Sequence, residues 1–143
     1  MRARKQPGQT VVELALASTV LLWFALGSLD FGRIFSTSLG LANAAREGAS
    51  VAATQGGAPC PATIPSTLLS KTRSVVRAEQ SGLFPGSVAD SVITLTCSTN
   101  DRWTVTITGY PFQPITPFIG RALGDASGVI RLSTTATMPV VTS

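Results

Sequence analysis

From Leu14 to Leu29 the chain runs for 16 residues without a charge, and counting from Val11 gives 19 interrupted only by Glu13. At about 1.5 Å per residue, 19 helical residues reach roughly 28 Å, close to the ~30 Å hydrocarbon core of a bilayer. The run therefore predicts a membrane-spanning helix. The helical pattern continues past it, with Phe31, Ile34, Ser38, Leu41, Ala45, Ala49 and Ala52 at three- and four-residue spacing and no proline between Gln9 and Ala58. That spacing predicts one helix of about 45 residues. Its outer half presents a narrow, Ala-rich seam suited to close approach of another helix, and Gly27, Gly32, Gly40 and Gly48 allow tight contacts or kinks.

The breakers from Gln55 to Pro61 end that helix, and a smaller outer region follows. Residues 66–80 read as an amphipathic helix with Ser66 as N-cap, an apolar face of Leu68, Leu69, Thr72, Val75 and Val76, and Gly82 as its stop. Residues 91–98 and 102–109 alternate with a period of two, placing Ile93, Leu95, Cys97, Trp103, Val105 and Ile107 inward. Thr94, Thr96, Thr104, Thr106 and Thr108 face out, and Thr99, Asn100 and Asp101 turn the hairpin. Residues 129–140 read as a third strand with Ile130, Leu132, Ala136 and Met138 on one side. The Pro-rich stretch 110–120 between them is too rich in breakers for a strand, and Thr116 and Pro117 open a short helix ending near Leu123. The fold class is α+β: a long N-terminal helix that spans and continues as a stalk, then an amphipathic helix and an antiparallel sheet of about three strands.

Composition narrows the chemistry. The chain has 143 residues, 44% apolar and 13% charged, with no His and two Cys. That leaves no donor set for a zinc site or a His-based catalytic constellation, so no cofactor or metal is expected. The net charge of +4 owes three cations to Arg2, Arg4 and Lys5; the remainder is eight basic against seven acidic residues, no footprint for nucleic acid. The same three cations before the apolar run place the N-terminus in the cytoplasm and the rest outside. Asp90, Asp101 and Asp125 stand beside Ser, Gly or Asn in turns, where aspartate caps backbone amides, and the chain does not read as an enzyme.

The stretch from Arg4 to Glu13 has a basic leader, a glycine, and a glutamate five residues later inside the apolar run. It resembles the processing site of type IV prepilins. The resemblance implies cleavage after Gly8 by a membrane aspartic peptidase, with Gln9 as mature residue one. Glycine lets an extended backbone enter a catalytic cleft, while the cations hold it at the membrane face. A carboxylate in an apolar helix costs a few kcal/mol unless partnered. The resemblance supplies the amine freed at Gln9, on the same or a neighbouring subunit, as the partner of Glu13; snorkelling to the cytoplasmic interface is the plainer alternative.

Residues 29–33, residues 43–49 and the stretch from Tyr110 to the Thr-rich last strand together resemble the TadE/TadG-like minor pilin, or pseudopilin, family of the tight-adherence (Flp-type) type IV pilus. Leu14 stands where an aromatic residue commonly follows the glutamate of the major pilin, which points to a minor one. The resemblance implies a leader at 1–8, a transmembrane and stalk helix at 9–54 and an extracytoplasmic region at 55–143. It also implies inner-membrane insertion and a part in pilus assembly and surface adhesion. The implied partners are the prepilin peptidase, other pilins and pseudopilins, the assembly platform and membrane lipid.

Asp30 and Arg33, three apart on a helix, read as a surface ion pair at the outer interface. Arg46 and Glu47, being adjacent, cannot pair along the helix; with Asp30, Arg33, Ala45 and Ala49, Arg46 is a candidate for contact with a neighbouring helix. Cys60 and Cys97 both fall in the outer, oxidising compartment and are expected to form a disulfide, two buried thiols being the alternative. Two other classes compete with the pilin reading: a bitopic anchor with no pilus role, and a secreted domain whose signal peptide is cleaved near Ala25 and Gly27.

Overall fold

The computed structural model describes residues 7–57, 59–81, 88–98 and 100–140. The leader cations Arg2, Arg4 and Lys5, the helix stop at Gly82 and the turn residue Thr99 lie outside the described residues. The first element, α1 (Pro7–Gln55), is one unbroken helix of 49 residues. Pro7 stands at its first position, where a missing N–H costs nothing.

Burial divides α1 at Asp30. Every described side chain from residue 8 to residue 25 is exposed, whereas from Asp30 outward Thr37, Leu41, Ala44, Ala45, Ala49, Ala52 and Ala53 form a stripe at most 3% exposed. The inner part has no partner within the chain. It also meets its own polar needs: the hydroxyls of Ser18 and Thr19 donate to the Ala15 carbonyl at 3.0 and 2.9 Å, and Ser28 to Phe24 at 2.9 Å. A helix that satisfies its hydroxyls internally suits hydrocarbon.

Helix α2 (Ser66–Ser81) and a three-stranded antiparallel sheet, β1 (Ile93–Ser98), β2 (Arg102–Phe112) and β3 (Ile130–Pro139), wrap the outer half of α1. Leu68, Thr72 and Val76 of α2 are buried as its amphipathic pattern predicts. Contact is close because Gly48 carries no side chain; a Cβ there would stand 2.7 Å from Val76 Cγ2 and 3.4 Å from Thr72 Cγ2. The Ala-rich seam thus does meet a helix, but it is the chain's own α2, together with the sheet. Ala45 and Ala49, read as candidates for contact with a neighbouring subunit, are fully buried in the intramolecular core. Small side chains let helix and sheet approach here, and periodicity alone could not say whose surface would arrive.

The sheet registers as its alternation predicts, pairing Ile93 with Ile107, Leu95 with Val105 and Cys97 with Trp103. Trp103, Val105 and Ile107 are fully buried. On the other face threonines pair across strands, Thr104 with Thr137 at 3.0 Å and Thr106 with Thr135 at 3.3 Å. Two boundaries differ from expectation. Residues 90–92 form a 3₁₀ turn before β1, and β2 continues through Pro111 to Phe112. The proline is tolerated because β1 ends opposite Ile107, so the last residues of β2 pair with β3 alone. Gly109, at φ +71°, makes the bulge that lets the strand run on, its N–H bonded to Ser133 Oγ at 3.0 Å.

Cys60 and Cys97 are joined in a disulfide, 37 residues apart in sequence. Asp101 adds to that tie, accepting the Cys60 N–H at 3.0 Å through Oδ1. The linker after α1 is thereby held to the β1–β2 hairpin.

Candidate functional site: a clamp where the apolar segment meets the outer domain

Asp30 does not form the surface ion pair that its spacing suggests. Its side chain is fully buried, and its two carboxylate oxygens accept the backbone N–H groups of Ile115 at 2.8 Å and Thr116 at 2.7 Å. Arg33 Nη1 approaches Oδ1 at 3.3 Å from a side chain 42% exposed, so the pairing exists as its lesser role. The Arg33 guanidinium also lies 5.2 Å from the ring centroid of Phe112, the last residue of β2. One turn of α1 therefore grips both ends of the Pro-rich connection, which leaves β2 at Phe112 and enters α3 (Pro117–Leu123) after Thr116.

Helix α3 begins as the sequence suggests, with Thr116 at the N-cap position and Pro117 following, but the Thr116 side chain makes no capping hydrogen bond. The anion at this end comes from α1 instead. A carboxylate that takes two converging amides stabilises them more than a neutral acceptor would. Sequence reasoning had no signal for it, because Asp30 and Thr116 are 86 residues apart.

Beyond α3, Asp125 Oδ1 accepts the N–H groups of Ser127 at 2.9 Å and Val129 at 3.2 Å, and Oδ2 lies 3.3 Å from Arg131 Nη2. Those amides, first that of Val129, hold its carboxyl below the usual aspartate range. This is the backbone-capping role expected of the turn aspartates. It delivers the chain into β3. Asp90 differs, facing Arg77 at 3.4 Å.

At the other end of α1, Gly8, Gln9 and Glu13 are exposed on the first turns of the helix, and Gly8 has open space where a Cβ would be. Gln9 and Glu13 are one turn apart and line the same shallow groove with Val12 and Leu16. Among the described residues no cation lies within salt-bridge distance of Glu13. Arg46 and Glu47 are exposed on the side of α1 away from the core.

Between α3 and the inner half of α1 runs an apolar groove of about 710 Å³, walled by Val20, Trp23, Phe24, Gly27 and Phe31 on one side and Phe118 and Ile119 on the other. Trp23, which the sequence places within the apolar run without a partner, faces this groove.

Residues 8–50 match the family model described as TadE-like protein. The resemblance read from the sequence is thereby shown for α1, over the apolar segment, the Asp30 clamp and most of the Ala-rich stripe. No curated protein and no solved structure matches the chain.

Proposed function

We propose that this chain is a minor pilin or pseudopilin of the tight-adherence pilus. In this reading it is anchored in the inner membrane with its N-terminus in the cytoplasm, trimmed after Gly8 by prepilin peptidase, and recruited into pilus assembly through the inner half of α1. The TadE-like match over residues 8–50 ties the chain to that system. The observation that carries the mechanism is the division of α1: its apolar inner part is exposed, has no partner within the chain, and bears the unpaired carboxylate of Glu13. Lipid solvates the apolar side chains. It does not solvate the carboxylate, whose cost is offset only by a cation brought to the same depth.

After cleavage the new α-amino group belongs to Gln9, one helical turn from Glu13. The pair can form within one subunit or between adjacent ones, and between subunits it sets the axial stagger of packed helices. Cleavage requires only that the first turn of α1 unwind, and Pro7 and Gly8 make that turn the cheapest to open.

The intramolecular setting makes the test clean. Gly8→Val meets no atom of this chain and Glu13→Ala breaks no bond within it, so any effect reports on an external partner. Intact mass of the membrane-extracted protein is expected to start at Gln9, and Gly8→Val to leave the leader attached. At matched membrane levels, Glu13→Ala is expected to be processed normally yet lose surface pili and co-purifying pilins. A chain starting at Ser28, or an uncleaved one, would return the molecule to the secreted-domain or bitopic-anchor reading.

A further inference from the structure

The groove between α3 and α1 has walls that point to its occupant. We propose that α3 is a membrane foot: it lies in the outer leaflet beside the span, and lipid acyl chains fill the groove. This rests on the reading that residues 11–29 cross the bilayer.

Depth is the first argument. Ile119 of α3 reaches α1 at Gly27, its Cδ1 3.9 Å from where a Cβ would stand. Gly27 is two residues inside Leu29, about 3 Å toward the bilayer centre at helical rise. The groove extends further inward along α1 to Val20. An element packed at that level cannot be clear of the membrane if the helix beside it is in hydrocarbon.

Surface chemistry is the second. Phe118 is 68% exposed, Leu123 69% and Ile115 60%, on a segment whose neighbours on α1, Phe31 and Phe35, are 72% and 61% exposed. These apolar side chains are continuous with the exposed apolar surface of the span, so one apolar solvent covers both. Arg33 and Arg121, both partly or fully exposed, carry cations at the same end, where headgroup phosphates would lie.

The Asp30 clamp gives the foot its purpose. By binding the amides of Ile115 and Thr116 it fixes the level of α3 on α1, and so the height at which the outer domain rests on the membrane. The outer domain then sits on the bilayer surface.

Fluorescence quenching by brominated lipid tests this in the full-length protein reconstituted in phosphatidylethanolamine–phosphatidylglycerol vesicles. Trp23 and Trp103 are the two tryptophans; Trp103 is fully buried in the core and serves as the unquenched internal reference. In a Trp23→Phe background, Phe118→Trp is expected to show blue-shifted emission. Its quenching is expected to be stronger with bromines near the carbonyl end of the acyl chain than at the terminus. Leu123→Trp, at a second exposed site, is expected to agree, which guards against one variant misfolding. If Trp23 is quenched in the parent protein but neither new tryptophan is, the span is inserted, α3 stands off the membrane, and the foot is overturned while the anchor survives. Blue-shifted but unquenched emission would mean protein, a second copy of this chain, fills the groove, and also overturns it. Loss of Trp23 quenching in the parent would overturn the anchor and the foot together.

Discussion

Replacing Asp30 distinguishes a buried clamp from a surface ion pair, because the two roles predict opposite rankings for Asp30 and Arg33. If Asp30 served mainly Arg33, removing either partner would cost the same, at most about 1 kcal/mol for a half-exposed pair. The structure gives Asp30 two buried backbone amides as well. Thr116 is 3% exposed, so its N–H cannot turn to water without displacing the loop, while Ile115 at 60% exposed can partly recover. A buried donor left unpaired costs about 1–3 kcal/mol, and a bond to a charged acceptor contributes more than a neutral one. Asp30→Ala is therefore expected to destabilise the docked α3 by about 2–4 kcal/mol. Asp30→Asn keeps the shape but sets an NH₂ against one of the amides, and is expected to cost about 1–3 kcal/mol by the same reasoning.

Arg33→Ala removes the ion pair and the Phe112 contact, together about 1 kcal/mol. The readout is hydrogen exchange at Ile119 and Gly120, whose amides bond to the Thr116 carbonyl at 3.1 and 3.4 Å. At about 1.4 kcal/mol per tenfold, Asp30→Ala should accelerate their exchange by about 30- to 1,000-fold, and Arg33→Ala by several-fold at most. Equal acceleration by Asp30→Asn and Arg33→Ala would refute the clamp.

Two further outcomes follow from the packing of the outer domain. Reducing the Cys60–Cys97 disulfide, which spans 37 residues, should lower stability by about 4 kcal/mol in the chain-entropy model. The thermal midpoint of the sheet with and without reductant, alongside a thiol count on the unreduced denatured protein, checks it. Ala49→Leu should destabilise the isolated protein by about 1–3 kcal/mol through overpacking at a fully buried position, whereas Arg46→Ala on the exposed side should leave thermal unfolding unchanged. A stable Ala49→Leu protein would show that the seam faces outward.

The local chemistry of the chain made much of this architecture legible. An apolar run of bilayer length, a three–four periodicity without proline and two stretches of strict alternation name a long helix and a hairpin, because each rests on the geometry of a single element. Ser66, Pro117 and the threonine face of the sheet read correctly for the same reason. Tertiary structure decided what meets what. Ala45 and Ala49 advertise a close helix partner, but only the folded chain shows it to be α2, since a seam of small residues fits a neighbour's helix as well as its own. Pro111 lies in a strand because β1 is too short to reach it, a fact about a different segment. Asp30 and Arg33 are three residues apart and look like a pair, and it takes the arrival of residues 115 and 116, remote in sequence, to turn Asp30 into a buried anchor. Which carboxylate is solvated and which is clamped depends on where the rest of the chain comes to lie.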